Sequence, residues 1–123
     1  MNNDTANVTL ASLSDKIVRV SDIYAERFDI DRDDLWHLAK LAEELGELNA
    51  AFLSMSGRGR KRGRSEAEIS VAVQSEVADL FAHLLLFAQH LDIDIVRALE
   101  KKWFAHFCAK EPNSAICNKE NTP

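Results

Sequence analysis

Leu38-Ala39-Lys40-Leu41-Ala42-Glu43-Glu44-Leu45-Gly46-Glu47-Leu48 and, further on, Glu76-Val77-Ala78-Asp79-Leu80 decide how this chain folds. Each stretch mixes leucine and alanine, the second valine as well, with acids three positions apart, so the acids of each pair share one face of a helix. Neither stretch contains proline, and the one glycine, Gly46, sits inside an otherwise helical pattern. Carboxylates on a partly apolar helix are costly unless a positive charge lies between them.

Working outward, the chain reads as four helices in an all-α fold. The first spans about Leu10 to Phe28, with Leu13, Ile17, Val20 and Tyr24 at helical spacing, and ends at Asp29-Ile30-Asp31-Arg32. The second spans about Asp33 to Met55. Its apolar stripe is Leu35, Leu38, Ala42, Leu45 and Phe52, widened by Leu41 and Leu48, and Asp31, Asp33 and Asp34 suit its N-terminus. Ser65 and Glu68 read as a capping box opening a third helix that runs to about Leu91. Its expected stripe is Ile69, Val73, Val77, Leu80, Leu84, Phe87 and Leu91. Asp92 or Asp94 caps a fourth helix, about Ile95 to Cys108, bearing Ile95, Leu99, Trp103 and Phe107. Residues 1–8 and 111–123 are expected to be flexible ends around a helical domain, 9–110.

The chain has 123 residues and a formal net charge of -5. That length makes one small domain, which oligomerisation would help to stabilise. The acidic balance argues against general affinity for nucleic acid or anionic membranes. The reading finds no apolar run approaching the roughly 20 residues that span a bilayer. It also finds no basic-then-apolar pattern of a signal peptide at Met1-Asn2-Asn3-Asp4. Cys108 and Cys117 are too few for a disulfide framework, so the chain is read as cytoplasmic, with reduced thiols. Cys108 is read as a packing residue or part of a frayed end, and Cys117 as part of the tail.

Glu47 precedes the glycine-rich loop by roughly 13 Å of helix, and Glu76 follows Ser65 by roughly 16 Å. If the second and third helices form an antiparallel hairpin, the two acidic pairs stand at nearly the same height. Two unit charges about 4 Å apart repel by roughly 4 kcal/mol at an effective dielectric near 20, so four converging carboxylates call for cations. All-oxygen ligands point to Mg²⁺, with Mn²⁺ the alternative. The bland reading is two solvated helix faces, with Lys40 pairing Glu43 or Glu44. A di-iron bundle would need Glu-x-x-His, which is absent, and the lone His83 is read as structural.

Glu43-Glu44-x-x-Glu47 followed by Glu76-x-x-Asp79 resembles the signature of the MazG-like all-α nucleoside triphosphate pyrophosphohydrolases. The flanking Leu38–Leu48 and Glu76–Leu80 with Leu84 and Leu85 resemble that family's two motif helices. Asp92-Ile93-Asp94-Ile95 with Ala98, Leu99 and Lys102 resembles its closing segment. The resemblance spans roughly residues 33–104. It implies a helical bundle that forms homodimers or tetramers, and a hydrolase that cleaves a nucleoside triphosphate between its α and β phosphorus atoms. Carried over by position, Glu44, Glu47, Glu76 and Asp79 hold Mg²⁺, Glu43 orients or deprotonates water, and Lys102 contacts phosphate. Where the family often has Asn four positions after that lysine, this chain has His106. Ser54 stands near the place where some relatives carry an aromatic, so the base pocket is not carried over. A phosphoribosyl-ATP pyrophosphohydrolase shares the fold and similar motifs. A non-enzymatic helical metal-binding or interaction module is the reading furthest from these.

The loop Gly57-Arg58-Gly59-Arg60-Lys61-Arg62-Gly63-Arg64, within 57–65, gathers five of the 15 basic residues. It reads as a flexible hairpin tip, or as a lid whose arginines, Arg58 and Arg60 among them, close over polyphosphate. A nucleic-acid patch is the third reading. The lid has to fold back, or come from a partner subunit, to reach the acids. Trp36 and Trp103 are expected in core or dimer packing, and His37 at the surface or an interface. Phe81, Phe87, Phe104 and Phe107 exceed what one small bundle buries, which favours a dimer.

Overall fold

A computed structural model describes residues 8–117, which are helical, with no strand among them. They fall into two compact units that divide between His90 and Leu91. Residues 1–7, most of the expected flexible N-terminus, and 118–123, the end of the expected tail, lie outside the described residues.

In the first unit, α1 (Leu10–Phe28) starts at Thr9, whose hydroxyl accepts from the Ser12 amide while the Ser12 hydroxyl accepts from the Thr9 amide. It ends at Asp29, which takes the left-handed conformation (φ 51°) and donates its N–H to the last carbonyls of the helix. Such a C-cap is ordinarily glycine's, and aspartate is among the few other residues that adopt it readily. Arg32 then ties the connecting segment back to α1, donating to Ser21 Oγ and Asp22 Oδ1 at 2.8 Å each.

α2 (Asp34–Met55) is capped by Asp33, whose carboxylate accepts from the Trp36 amide. α3 (Glu66–His90) opens with the expected capping box. Ser65 Oγ accepts from the Glu68 amide, and the Glu68 carboxylate accepts from Ser65. The two helices run antiparallel. His90 meets Asp34 at 2.6 Å at the open end, and the acidic pairs meet in the middle. α1 packs against α3.

The buried faces differ from those expected. On α2 the stripe Leu35, Leu38, Leu45 and Phe52 is exposed, Leu35 by 71%. The face turned inward carries His37, Glu44, Ala51 and Ser54. His37 is therefore buried, not at the surface. On α3 the buried residues are Ile69, Leu85, Leu86 and Ala88, whereas Val77 and Leu84 of the expected stripe are exposed. The physical reason is size. Ala51 and Ser54 are small enough to let α3 approach α2, and the large apolar side chains of the α2 stripe are left on the outside. α3 is also long and apolar enough, by length and composition, to cross a bilayer, where the sequence reading found no such run. Glu76 and Asp79 lie in its middle and face the acids of α2.

In the second unit, Asp94 caps α4 (Ile95–Leu99) by accepting from the Arg97 amide. The helical run continues through a π-helical turn, Glu100–Phe104, into α5 (Ala105–Lys110). The Ala105 amide donates five residues back, to Glu100. The expected fourth helix is thus present but contains one wide turn, and it extends two residues beyond Cys108. Trp103 lies on that turn, 67% exposed. Cys108 and Cys117 form a disulfide, with Cα atoms 5.6 Å apart, contrary to the expected free thiols. The cause is a double reversal: the Ser114 amide donates to Glu111 O and the Cys117 amide to Ser114 O, which returns the chain to the end of α5.

Candidate metal centre

Glu44 and Glu47 lie one turn apart on α2, and Glu76 and Asp79 one turn apart on α3. Because the helices are antiparallel, each step along one is matched by a step back along the other, and the four acids arrive at one level. One carboxylate oxygen from each lies within 4.8 Å of the other three. Glu44 is buried, Glu76 half-buried, and Glu47 and Asp79 are exposed. The cluster is thus open on one side and shielded on the other.

The electrostatics of the four are unfavourable as they stand. Burial pushes the Glu44 carboxyl above its ordinary range, and the charges of Glu47 and Asp79 push it further. Burial raises Glu76 too, and the neighbouring Glu47 and then Asp79 push it further. Glu44 Oε2 and Glu76 Oε2 are both buried without any hydrogen-bond partner. Buried oxygens nearly always have a partner, so two of them in one cluster call for one. A hard divalent cation would satisfy them, since such an ion takes several carboxylate oxygens and keeps waters on an open side. The donor set fits Mg²⁺ and Mn²⁺.

His83, Lys40 and Trp36 lie beside the cluster. His83 Nε2 stands 3.7 Å from Glu44 Oε1, so the histidine read as merely structural borders the site. Burial first, then the Lys40 charge, pushes its pKa below the usual 6.5. Glu43 stands outside the four. Its carboxylate is half exposed and meets Lys40 Nζ at 3.2 Å. Lys40 Nζ also lies 5.9 Å from the Trp36 ring, and that ring meets His83 edge-on at 5.9 Å.

Two cavities reach the cluster from opposite ends. One, of about 580 Å³, is mostly apolar and extends from Glu44 and Asp79 past Lys40 and His83 to Trp36 and Tyr24. The other, of about 630 Å³, extends from Glu47 and Glu76 to Arg60, Arg62 and Arg64 of the basic loop. Arg60 is thus brought to the neighbourhood of the acids, whereas Arg58 does not line this cavity. Lys102 lies on the π-helical turn of the second unit.

Tyr24 was not anticipated as part of this neighbourhood, Lys40 was weighed only as an ion-pair partner, and Arg62 and Arg64 were anticipated only as arginines of the basic loop read as a lid. Lys40 carried a usable signal, being one turn before the first acidic pair on the same helix. Arg62 and Arg64 carried none beyond their charge, because their position depends on how the loop turns. Comparison of the chain with protein-family models, with curated proteins and with solved structures finds no match.

Proposed function

We propose that this protein is a Mg²⁺-dependent nucleoside triphosphate pyrophosphohydrolase, with Mn²⁺ able to substitute. It cleaves between the α and β phosphates to give a nucleoside monophosphate and pyrophosphate. The observation that carries the reading is the convergence of Glu44, Glu47, Glu76 and Asp79, with two buried oxygens lacking any partner. The MazG-like spacing of the same residues in the sequence agrees with this reading. The largely apolar cavity beside Glu44 and Asp79, walled by Trp36 and Tyr24, has room and chemistry for a nucleoside.

In this reading the four acids hold the metal. The bound cation would neutralise the polyphosphate and lower the pKa of the attacking water. Glu43, oriented by Lys40, accepts a proton from that water. The water oxygen forms a bond to the α phosphorus while the bond from that phosphorus to the α–β bridging oxygen breaks. Pyrophosphate departs with the bonding electron pair.

A second copy of the chain completes the reading. Val20, Ile23, Tyr24 and Phe28 on α1, and Leu35, Leu38 and Leu45 on α2, are large apolar side chains left exposed, while the buried apolar residues described are few and half of them alanine. Self-association would cover those faces, as expected where one small core is insufficient.

The test is a pyrophosphate-release screen with Mg²⁺ over canonical and modified nucleoside triphosphates, with phosphoribosyl-ATP included, run in ¹⁸O-labelled water. The expected result is metal-dependent release of pyrophosphate from at least one triphosphate, with the label in the monophosphate. Orthophosphate as the primary product, or no turnover across the panel, overturns the reading.

A further inference from the structure

The basic loop is not a free tip. Ser54, 4% exposed in the last turn of α2, donates its hydroxyl to the Arg60 carbonyl at 2.9 Å. The amides of Arg58 and Gly59 both donate to Leu53 O at 2.8 Å. Gly59 lies so close to α2 that a Cβ there would come within 2.9 Å of the Ser54 backbone nitrogen and 3.1 Å of the Leu53 carbonyl carbon. Only glycine permits that approach. Gly57 and Gly63 take left-handed conformations (φ 77° and 74°), as does Arg62 (φ 52°), so the loop turns sharply at both ends. It is folded back onto the C-terminal end of α2 by hydrogen bonds and by the absence of a side chain.

That fold-back has a chemical consequence. Arg60, Arg62 and Arg64 line one end of the cavity of about 630 Å³ whose other end is Glu47 and Glu76. Ala50, Ala51 and Ala72 line the wall between, leaving the space unfilled. Among the described residues no acid forms an ion pair with any of these three arginines. Three arginines at one end of a cavity, none of them ion-paired among the described residues, suit a multiply charged oxyanion. Arginine is the side chain best shaped to bind phosphate oxygens in pairs. The cavity adjoins the metal centre through two of its ligands, so the anion and the metal-held group can be parts of one molecule.

We propose that this arginine chamber binds the β and γ phosphates of the substrate and, after cleavage, the pyrophosphate product. The proposal rests on the pyrophosphohydrolase reading and adds a polarity to it. The nucleoside extends toward Trp36 and Tyr24, the α phosphate lies at the carboxylates, and the terminal phosphates extend toward Arg60, Arg62 and Arg64. It makes the enzyme selective for triphosphates over diphosphates, because a diphosphate leaves the chamber part-empty. It also makes inorganic pyrophosphate an inhibitor competitive with substrate.

The test is calorimetric binding of inorganic pyrophosphate and tripolyphosphate to the full chain, with saturating Mg²⁺ and, separately, with EDTA. The variants are the triple Arg60→Gln/Arg62→Gln/Arg64→Gln, Ser54→Ala and, as a control outside the cavity lining, Lys61→Gln. Thermal melts verify that each folds. Loss of three charge-assisted contacts should weaken pyrophosphate binding at least about tenfold in the triple variant. Ser54→Ala, which keeps every charge but frees the loop, should weaken it several-fold, and Lys61→Gln should match the wild type. Equal affinity in the triple variant and the wild type, or no pyrophosphate binding in either buffer, overturns the proposal. Binding needs no turnover, so the two readings fail separately. Arginine-dependent pyrophosphate binding without nucleotide hydrolysis removes the enzyme reading and leaves the chamber. Hydrolysis with unchanged KM and unchanged pyrophosphate affinity in the triple variant removes the chamber alone.

Discussion

The acid cluster and the arginine loop belong to the same helical hairpin, yet their charges are positioned in opposite ways. Glu44, Glu47, Glu76 and Asp79 sit on helix interiors, where a fixed period and an antiparallel register hold four like charges together. The helices fix their backbone positions, so the charges can separate only as far as side-chain rotation allows. Arg60, Arg62 and Arg64 sit on a loop held by Ser54, Leu53 and the bare backbone of Gly59, and their long side chains can spread. The acids are therefore the preorganised half of the site and the arginines the adaptable half. Like charges held on two helices store repulsion that a cation can relieve, whereas arginines on long side chains store little and gain when an anion arrives.

Removing one acid should produce the largest effect. Glu47→Gln or Asp79→Asn is expected to lower metal-dependent turnover at least about a hundredfold, since even second-shell changes at metal sites cost 10- to 100-fold. The same variants should melt no lower than wild type in EDTA, because one repelling charge has gone. Steady-state kinetics and melting curves check both. A variant that keeps its activity breaks the comparison at the acid end.

Gly59→Ala tests the other half and should act more mildly. Its Cβ would meet backbone, which cannot swing away, so the loop must shift. A stability loss of about 1–3 kcal/mol is expected, as for other forced overpacking. KM should rise while Mg²⁺ binding stays near the wild-type level. Unchanged kinetics would show that the position of the loop is immaterial.

Acidity separates the halves further, because arginine does not titrate in the working range while the raised carboxyls do. Glu44 and Glu76 have folded-state pKa values above their ordinary 4.5. Their contribution to stability is therefore full below that value and is lost as pH rises through the raised values. Metal-free protein should lose melting temperature over that interval, and Mg²⁺ should restore it by binding the folded state. A metal-free melting temperature that rises across the same interval, or one that Mg²⁺ leaves unchanged, contradicts the electrostatic account.

The smallest effect belongs to the open end of the hairpin. His37 is buried with Nδ1 unpartnered, its ring 4.3 Å from that of His90. Burial first, then the charges of His90, Arg32 and His83, lowers its pKa, against a weaker pull from Asp34. A depressed histidine stabilises the fold above its ordinary 6.5 and loses that contribution as pH falls below it. His37→Phe should flatten the decline in melting temperature below that pH, with little change above it.

These contrasts also explain what could be read in advance. The spacing of Glu44 to Glu47 and of Glu76 to Asp79 is a helix period, and a hairpin with capped ends brings such pairs level, so the cluster was legible. The Ser65–Glu68 capping box and the Asp33 and Asp94 caps were legible for the same reason: they are local. The inward face of α2 was not. Periodicity marks Leu35, Leu38 and Leu45 as a stripe but does not say whether the chain itself covers it. The inward face is instead defined by Ala51 and Ser54, whose smallness carries no hydropathy signal. The fold-back of the loop depends on a Ser54 to Arg60 bond, and the return of Cys117 to Cys108 depends on two successive turns. Neither leaves a periodic trace.

The most direct test of the central claim is an electron paramagnetic resonance titration of Mn²⁺ into metal-free protein at neutral pH, for the wild type and the Glu47→Gln/Asp79→Asn double variant. The account predicts Mn²⁺ bound by the wild type, displaced by excess Mg²⁺, and lost in the double variant while its fold is retained. No bound Mn²⁺ at millimolar metal, or equal binding by both proteins, would contradict it.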